Sequence, residues 1–326
     1  MRVTPECDSI NSLSICSEDG IQTDPCVAFD GTNYMVVWSD MRVTGNKVVY
    51  VARVSQSGTV LDPGGVQIGP ENGSWQNQPS IVFLGDKYFL AWGHLMAPFG
   101  VTGCFVNLDG TLDDTVRIAS ATAEVHNTCV VYDGEKMLVT WTEYAGTLWG
   151  QFVSTSGSAI GSPFIIATDI MVTSSGSTCF SGSEYMVVYC NWAFAIIEFW
   201  GRKYDASGNP LGSPFRIANP AHSSTDGYVI AGDEHYLCLW SKLLYPADIY
   251  GSLDFDVGVE DHQTRPLEQG LRYTSTITSG PLALPDDKEF KVFDIMGCEV
   301  RTTNPAPGIY FIQIESDIVQ KVIKVK

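Results

Sequence analysis

The chain has 326 residues, 44% hydrophobic and 17% charged, which is apolar enough for a packed core and too sparsely charged for a disordered polypeptide. Acidic side chains outnumber basic ones 37 to 19, and the net charge of −18 argues against nucleic acid or an anionic membrane as partner. No stretch reaches the roughly 18 consecutive apolar residues of a membrane helix, so no membrane insertion is expected.

From the N-terminus, Met1-Arg2-Val3-Thr4-Pro5 lacks the apolar core of a signal peptide, so export is expected to rely on a signal outside this sequence. Nine cysteines leave at least one thiol unpaired or shared between chains. Cys7 and Cys16 are read as the best disulfide pair. Cys26, Cys104, Cys129, Cys179, Cys190 and Cys238 fall inside apolar strand patterns and read as small buried hydrophobes. No Cys/His spacing suits zinc, and neither a metal site nor a cofactor is read from the sequence.

An internal repeat organises most of the chain. Ala28-Phe29-Asp30-Gly31 leads to Trp38, and related segments lead through Gly85 to Trp92, Gly134 to Trp141, Gly182 to Tyr189 and Gly232 to Trp240. These closing aromatics lie 54, 49, 48 and 51 residues apart. Each unit reads as four short strands: one before the turn glycine, one ending near the closing aromatic, one carrying Tyr50, Thr102, Trp149, Trp200 or Tyr250, and a fourth such as Val66-Gln67-Ile68. The fifth unit lacks its fourth strand after Gly258, and Leu13-Ser14-Ile15-Cys16 has the form of one. A ring closed by that N-terminal strand removes two open sheet edges. The prediction is an all-β five-bladed β-propeller over residues 1–258.

The repeat resembles one found in secreted bacterial surface proteins, and five blades resemble both tachylectin-type lectins and arabinanase-like glycoside hydrolases. The resemblance is architectural over residues 10–258, because the ligand motifs of those proteins do not occur here.

A polar segment, 259–270, reads as a linker. Beyond it the charge balance changes: residues 271–326 hold seven basic and seven acidic side chains, against 12 and 30 before them. Lys291-Val292-Phe293-Asp294, Pro307-Gly308-Ile309-Tyr310-Phe311 and the terminal Lys321-Val322-Ile323-Lys324-Val325-Lys326 resemble the C-terminal sorting domain of type IX secretion substrates. The resemblance implies a small β-sandwich, recognition by the type IX secretion machinery, and a secreted or outer cell-surface location.

In a propeller, the loops entering strand one and those joining strands two and three open on one face. Two positions after the closing aromatic, the blades carry Asp40, His94, Glu143, Asn191 and Lys242; before strand one they carry Asp24, Gln78, Asn127, Ser175 and Asp226. Polar residues that differ from blade to blade suit one asymmetric ligand, although solvated loop residues explain each position as well. Tyr144 and Trp192, with Trp75, Phe194 and Tyr245, read as rim rings able to stack on sugar faces. The expected function is a non-catalytic binding module for a glycan or another extracellular polymer. The alternative is a glycoside hydrolase with Asp24 as base and Glu143 as acid, which requires carboxyls about 6.5–9.5 Å apart for inversion. No third acid occupies the blade-two rim, where Gln78 and His94 stand.

Overall fold

The computed structural model describes residues 2–3, 9–42, 46–69, 75–170, 176–193, 196–217, 224–232, 236–242, 249–253, 274–278, 290–294, 300, 308–314 and 317–324. Their regular structure is entirely β. Strands β1 (Arg2–Val3) and β2 (Ser9–Asn11) pair with each other. Blade one is β3 (Gln22–Phe29), β4 (Asn33–Asp40), β5 (Val48–Ser55) and β6 (Val66–Gln67). Blade two is β7 (Gln76–Phe83), β8 (Lys87–His94), β9 (Gly100–Asn107) and β10 (Val116–Ser120). Blade three is β11 (Val125–Tyr132), β12 (Lys136–Glu143), β13 (Thr147–Ser154) and β14 (Ala159–Ala167). Blade four is β15 (Ser177–Phe180), β16 (Glu184–Ala193), β17 (Ile196–Asp205) and β18 (Phe215–Arg216). Blade five is β19 (Ser224–Ala231), β20 (Tyr236–Lys242) and β21 (Ile249–Leu253), three strands among the described residues.

Each blade is an antiparallel meander, and in blades two to four the second strand is buried on both faces. That is why the second strands read as continuous apolar runs: Tyr88-Phe89-Leu90-Ala91-Trp92 is buried throughout. Side chains of this size contribute about 1.5–3 kcal/mol each when fully buried. The core is therefore a series of interfaces between blades. Met35, Val37 and Val51 of blade one meet Ile81, Leu90 and Trp92 of blade two. Phe89 and Phe105 meet Val139 and Trp141. Phe152 meets Tyr185 and Tyr189, and Val188 and Phe199 meet Val229 and Cys238. The closing aromatic faces a fixed third-strand partner: Trp38 pairs with Tyr50, Trp92 with Thr102, Trp141 with Trp149, Tyr189 with Trp200 and Trp240 with Tyr250.

Two expectations are corrected. Leu13–Cys16 forms no strand; Ile15 and Cys16 instead pack on Trp38 and Tyr50 of blade one, while the preceding Ser9–Asn11 is taken up by Arg2–Val3. Cys16 is a free thiol, because its sulfur is turned toward the Arg42–Asp40 ion pair; Cys7 lies outside the described residues. Of the six strand cysteines, Cys104, Cys179, Cys190 and Cys238 are buried and Cys26 and Cys129 partly buried.

The chain divides into two compact units, Met1–Val257 and Gly258–Lys326. In the second, β22 (Thr274–Thr278), β23 (Phe290–Asp294), β24 (Gly308–Ile314) and β25 (Asp317–Lys324) form one sheet in the order β22-β25-β24-β23. The expected sandwich is thus a single four-stranded sheet among the described residues, with β22 parallel to β25. Residues 259–270 lie outside the described set.

Candidate functional site

In blades one, two, three and five, strand register brings the two predicted sets of polar positions to one end of the blade. Gln22 pairs with Asp40, Gln76 with His94, Val125 with Glu143 and Ser224 with Lys242. At that end the first strand carries a bulge in blades one, two, three and five. Asp24, Gln78 and Asn127 sit in these bulges at φ values of 56°, 46° and 52°. A non-glycine residue in this left-handed region costs about 1–3 kcal/mol.

The three side chains are linked across blades. The Asn127 backbone N–H donates to Gln78 Oε1 at 2.7 Å, and Gln78 Nε2 to Asn127 Oδ1 at 3.3 Å. Asn77 Nδ2 donates to Gln78 Oε1 at 3.0 Å. Asp24 Oδ2 accepts from Thr23 Oγ1 at 2.9 Å and from Lys47 Nζ at 3.0 Å, and the same ammonium group bonds Asn77 Oδ1. A continuous polar network thus runs from blade one to blade three. Lys47 and Asn77 were not singled out in the sequence; the only cue is that Lys47 immediately precedes β5, in the loop from strand two to strand three.

The second ring divides differently. Asp40 is buried and its carboxylate is saturated: Arg42 Nε and backbone N reach Oδ1 at 3.0 and 2.8 Å, and Trp38 Nε1 and Arg42 Nη2 reach Oδ2 at 2.8 and 2.7 Å. Burial works against the charge, but these donors hold the Asp40 carboxyl below the usual range, and Arg42 lies over the Tyr50 ring at 4.0 Å. Asp40 is committed to the fold, which corrects its expected place on the rim. His94 is also buried, bonded through Nε2 to Thr102 Oγ1 at 2.8 Å; burial, with Arg117 nearby, pulls its imidazole pKa down to about 4. Glu143 is buried and accepts from Thr122 Oγ1 at 3.0 Å. Where His94 and Glu143 replace Asp40, the indole N–H groups of Trp92 and Trp141 have no partner.

Asn191 and Trp192 lie in a strand and not in the expected loop. The hairpin continues through Asn191 opposite Glu198, Trp192 opposite Ile197 and Ala193 opposite Ile196. The β-branched pair Ile196-Ile197 favours that extension. The side chains of Trp192, Lys242 and Asp226, and residues Ser175, Phe194 and Tyr245, are outside the described set. Tyr144 is exposed, its ring 6.2 Å from that of His126, which in turn bonds Glu124 at 3.4 Å. No group of three or more potential metal ligands occurs among the described residues, and none of their helices is long and apolar enough to cross a membrane.

The fold is that of a five-bladed β-propeller, and a polar hydrogen-bond network spans its blades one to three. No protein family and no curated protein matches the sequence. Among solved structures, a protein of unknown function from Dyadobacter fermentans matches at 9% identity and TM-score 0.52, over 71% of this chain and 78% of that one. The endo-arabinase from Bacteroides thetaiotaomicron matches at 10% identity and TM-score 0.47, over 71% and 93%. The catalytic domain of an α-L-arabinofuranosidase from Coprinopsis cinerea matches at 13% identity and TM-score 0.45, over 71% and 90%. At these identities the likeness is one of fold.

Proposed function

We propose that the propeller is a carbohydrate-recognition module that engages a glycan or another extracellular polymer at the mouth formed by blades one to three. One observation carries this reading: Asp24, Gln78 and Asn127, three different polar residues, occupy one repeat position in a backbone conformation natural to glycine. The chain uses glycine where a turn alone is needed, as at Gly31 and Gly134, so the side chains at the mouth are kept for their chemistry. The exposed Tyr144 ring, which neighbours His126, adds an apolar face at the same end of blade three, and sugars require hydrogen-bonding groups together with such a face. The acidic surface suits a neutral or cationic polymer.

A second reading is an inverting glycoside hydrolase with Asp24 as base and Glu143 as acid. It is favoured by the placement of the two carboxylates at the same end of blades one and three, one half-exposed and one buried. Against it, Lys47 is already bonded to Asp24.

Calorimetric titration with arabinan and a panel of other soluble neutral polysaccharides tests the first reading. Saturable binding that Gln78→Gly and Tyr144→Ala abolish supports it; no binding across the panel refutes it. Release of reducing ends, lost in both Asp24→Asn and Glu143→Gln, selects the hydrolase.

The C-terminal unit is proposed to be the export address, a type IX sorting domain over residues 271–326 that places the propeller outside the cell. Its resemblance to that family supports this reading. A reporter fused to residues 271–326 should reach the medium or cell surface of a type IX-competent bacterium and stay inside a strain lacking that machinery.

A further inference from the structure

The rim of blade two differs in kind from the polar network beside it. Between β8 and β9, Leu95-Met96-Ala97-Pro98-Phe99 carries no polar side chain. Met96 is 50% exposed, and Ala97 and Pro98 are exposed with it. The corresponding loop of blade one holds Arg42 and Lys47 instead. Water disfavours a run of exposed apolar residues, so such a run is kept where something binds to it.

The loop is fixed through its backbone. Leu95 N–H donates to Trp75 O at 2.9 Å and Ala121 N–H to Phe99 O at 3.2 Å. The Arg117 guanidinium bonds the Phe99 carbonyl too and reaches Pro98 O at 3.4 Å. Residues 121–124 carry the surface on to blade three, where Thr122 Oγ1 donates to Glu143 at 3.0 Å and Tyr144 N–H donates to Glu124 O at 2.9 Å. Trp75 leads directly into Gln76, Asn77 and Gln78, and Glu124 into the strand that bears Asn127. A preorganised aliphatic loop thus adjoins a chain of neutral amides running from Asn77 through Gln78 to Asn127.

We propose that the mouth selects neutral polysaccharides bearing short acyl groups, an inference that rests on the carbohydrate reading above. Met96, Ala97 and Pro98 cover the acyl methyl, and the amides of Gln78 and Asn127 bond its carbonyl and the neighbouring hydroxyls. Three features support the acyl group as occupant. The bare face of a sugar ring is matched by an aromatic ring such as Tyr144, whereas an aliphatic loop with a pliable methionine suits a small aliphatic substituent. An acyl group joins a methyl directly to a carbonyl, the same juxtaposition of apolar and hydrogen-bonding surface that the rim presents. The net charge of −18 disfavours sulfate, phosphate or carboxylate substituents in its place.

Paired ligands test this by calorimetry on the full chain. O-acetylated xylan and glucomannan are compared with the same polymers after mild alkaline deacetylation, and chitohexaose is compared with cellohexaose as an N-acyl source. The acylated member of at least one pair should bind about fourfold tighter or more, the gain expected from burying one methyl. Preference confined to the ester pairs assigns an O-acyl ligand, and preference confined to chitohexaose an N-acyl one. Met96→Asp should bring that ratio close to one, while Leu108→Asp, exposed at the opposite end of blade two, should leave it unchanged. Equal binding within every pair overturns the acyl assignment and leaves the carbohydrate reading standing. A preference that Met96→Asp does not diminish, at unchanged melting temperature, overturns the role of the loop. Absence of binding to every one of these ligands also overturns the assignment, and titration with arabinan then decides the carbohydrate reading separately.

Discussion

The Tyr185 hydroxyl donates to Asp133 Oδ2 at 2.5 Å, tying blade four to the first turn of blade three. Burial raises the Tyr185 pKa and opposes the Asp133 charge, but Lys136, Tyr185 and two backbone N–H groups hold the Asp133 carboxyl at about 2. Tyr185→Phe should therefore destabilise the propeller by roughly 1.5–3 kcal/mol, the range for a hydrogen bond to a charged group. Chemical denaturation of the two proteins measures this, and equal midpoints would refute it.

The same carboxylate sets an acid limit. Its folded pKa lies below the unfolded value of 3.8, so the stability it contributes is present above about pH 4 and is lost as pH falls through about 2. Asp133→Asn should flatten the stability profile in that window while lowering stability at neutral pH.

His94 acts in a different window. Its folded pKa of about 4 lies below the ordinary imidazole value of 6.5, so the unfolded chain binds the extra proton first and stability falls as pH drops from 6.5 toward 4. His94→Gln should remove this part of the pH dependence. Melting temperatures at pH 7 and pH 5 should then converge relative to the unsubstituted protein.

Arg42→Ala should cost roughly 3 kcal/mol, because it leaves the buried Asp40 charge uncompensated. Asp40→Asn in the Arg42→Ala background should recover part of that loss. Ligand binding that survives in the double variant would confirm that this pair belongs to the fold and not to the mouth.

Gly65 offers a sharper packing test. It stands at φ +78°, and an added Cβ would lie 2.4 Å from the Trp38 ring. Gly65→Ala should destabilise by about 1–3 kcal/mol through strain and overpacking. Loss of Trp38 fluorescence change on unfolding would locate the effect.

Much of the fold was legible because Trp38 and its counterparts recur at blade spacing, and because blade sheets buried on both faces leave unbroken apolar runs. The mouth was legible only in part. Position in the repeat identified Asp24, Gln78 and Asn127, but nothing in their residue types announces a left-handed backbone, which the bulge imposes through tertiary pairing. Asp40 looked equivalent to His94 and Glu143, yet Arg42 two residues later gives it a private partner, a pairing visible in the sequence once the bend after β4 is known. Trp192 read as a loop residue because strand length in the fourth blade is set by the hairpin beyond it.

Gly31, Gly85, Gly134 and Gly182 hold φ between 94° and 102°, and a Cβ on any of them would meet nothing within 4 Å. The demand at these hairpin tips is torsional alone. Four tips at the end opposite the mouth are therefore sites where the chain can be lengthened without touching a blade interface. A short epitope or fluorophore-bearing loop spliced at one of them turns the ring into a display scaffold, with its cargo pointing away from whatever the mouth holds.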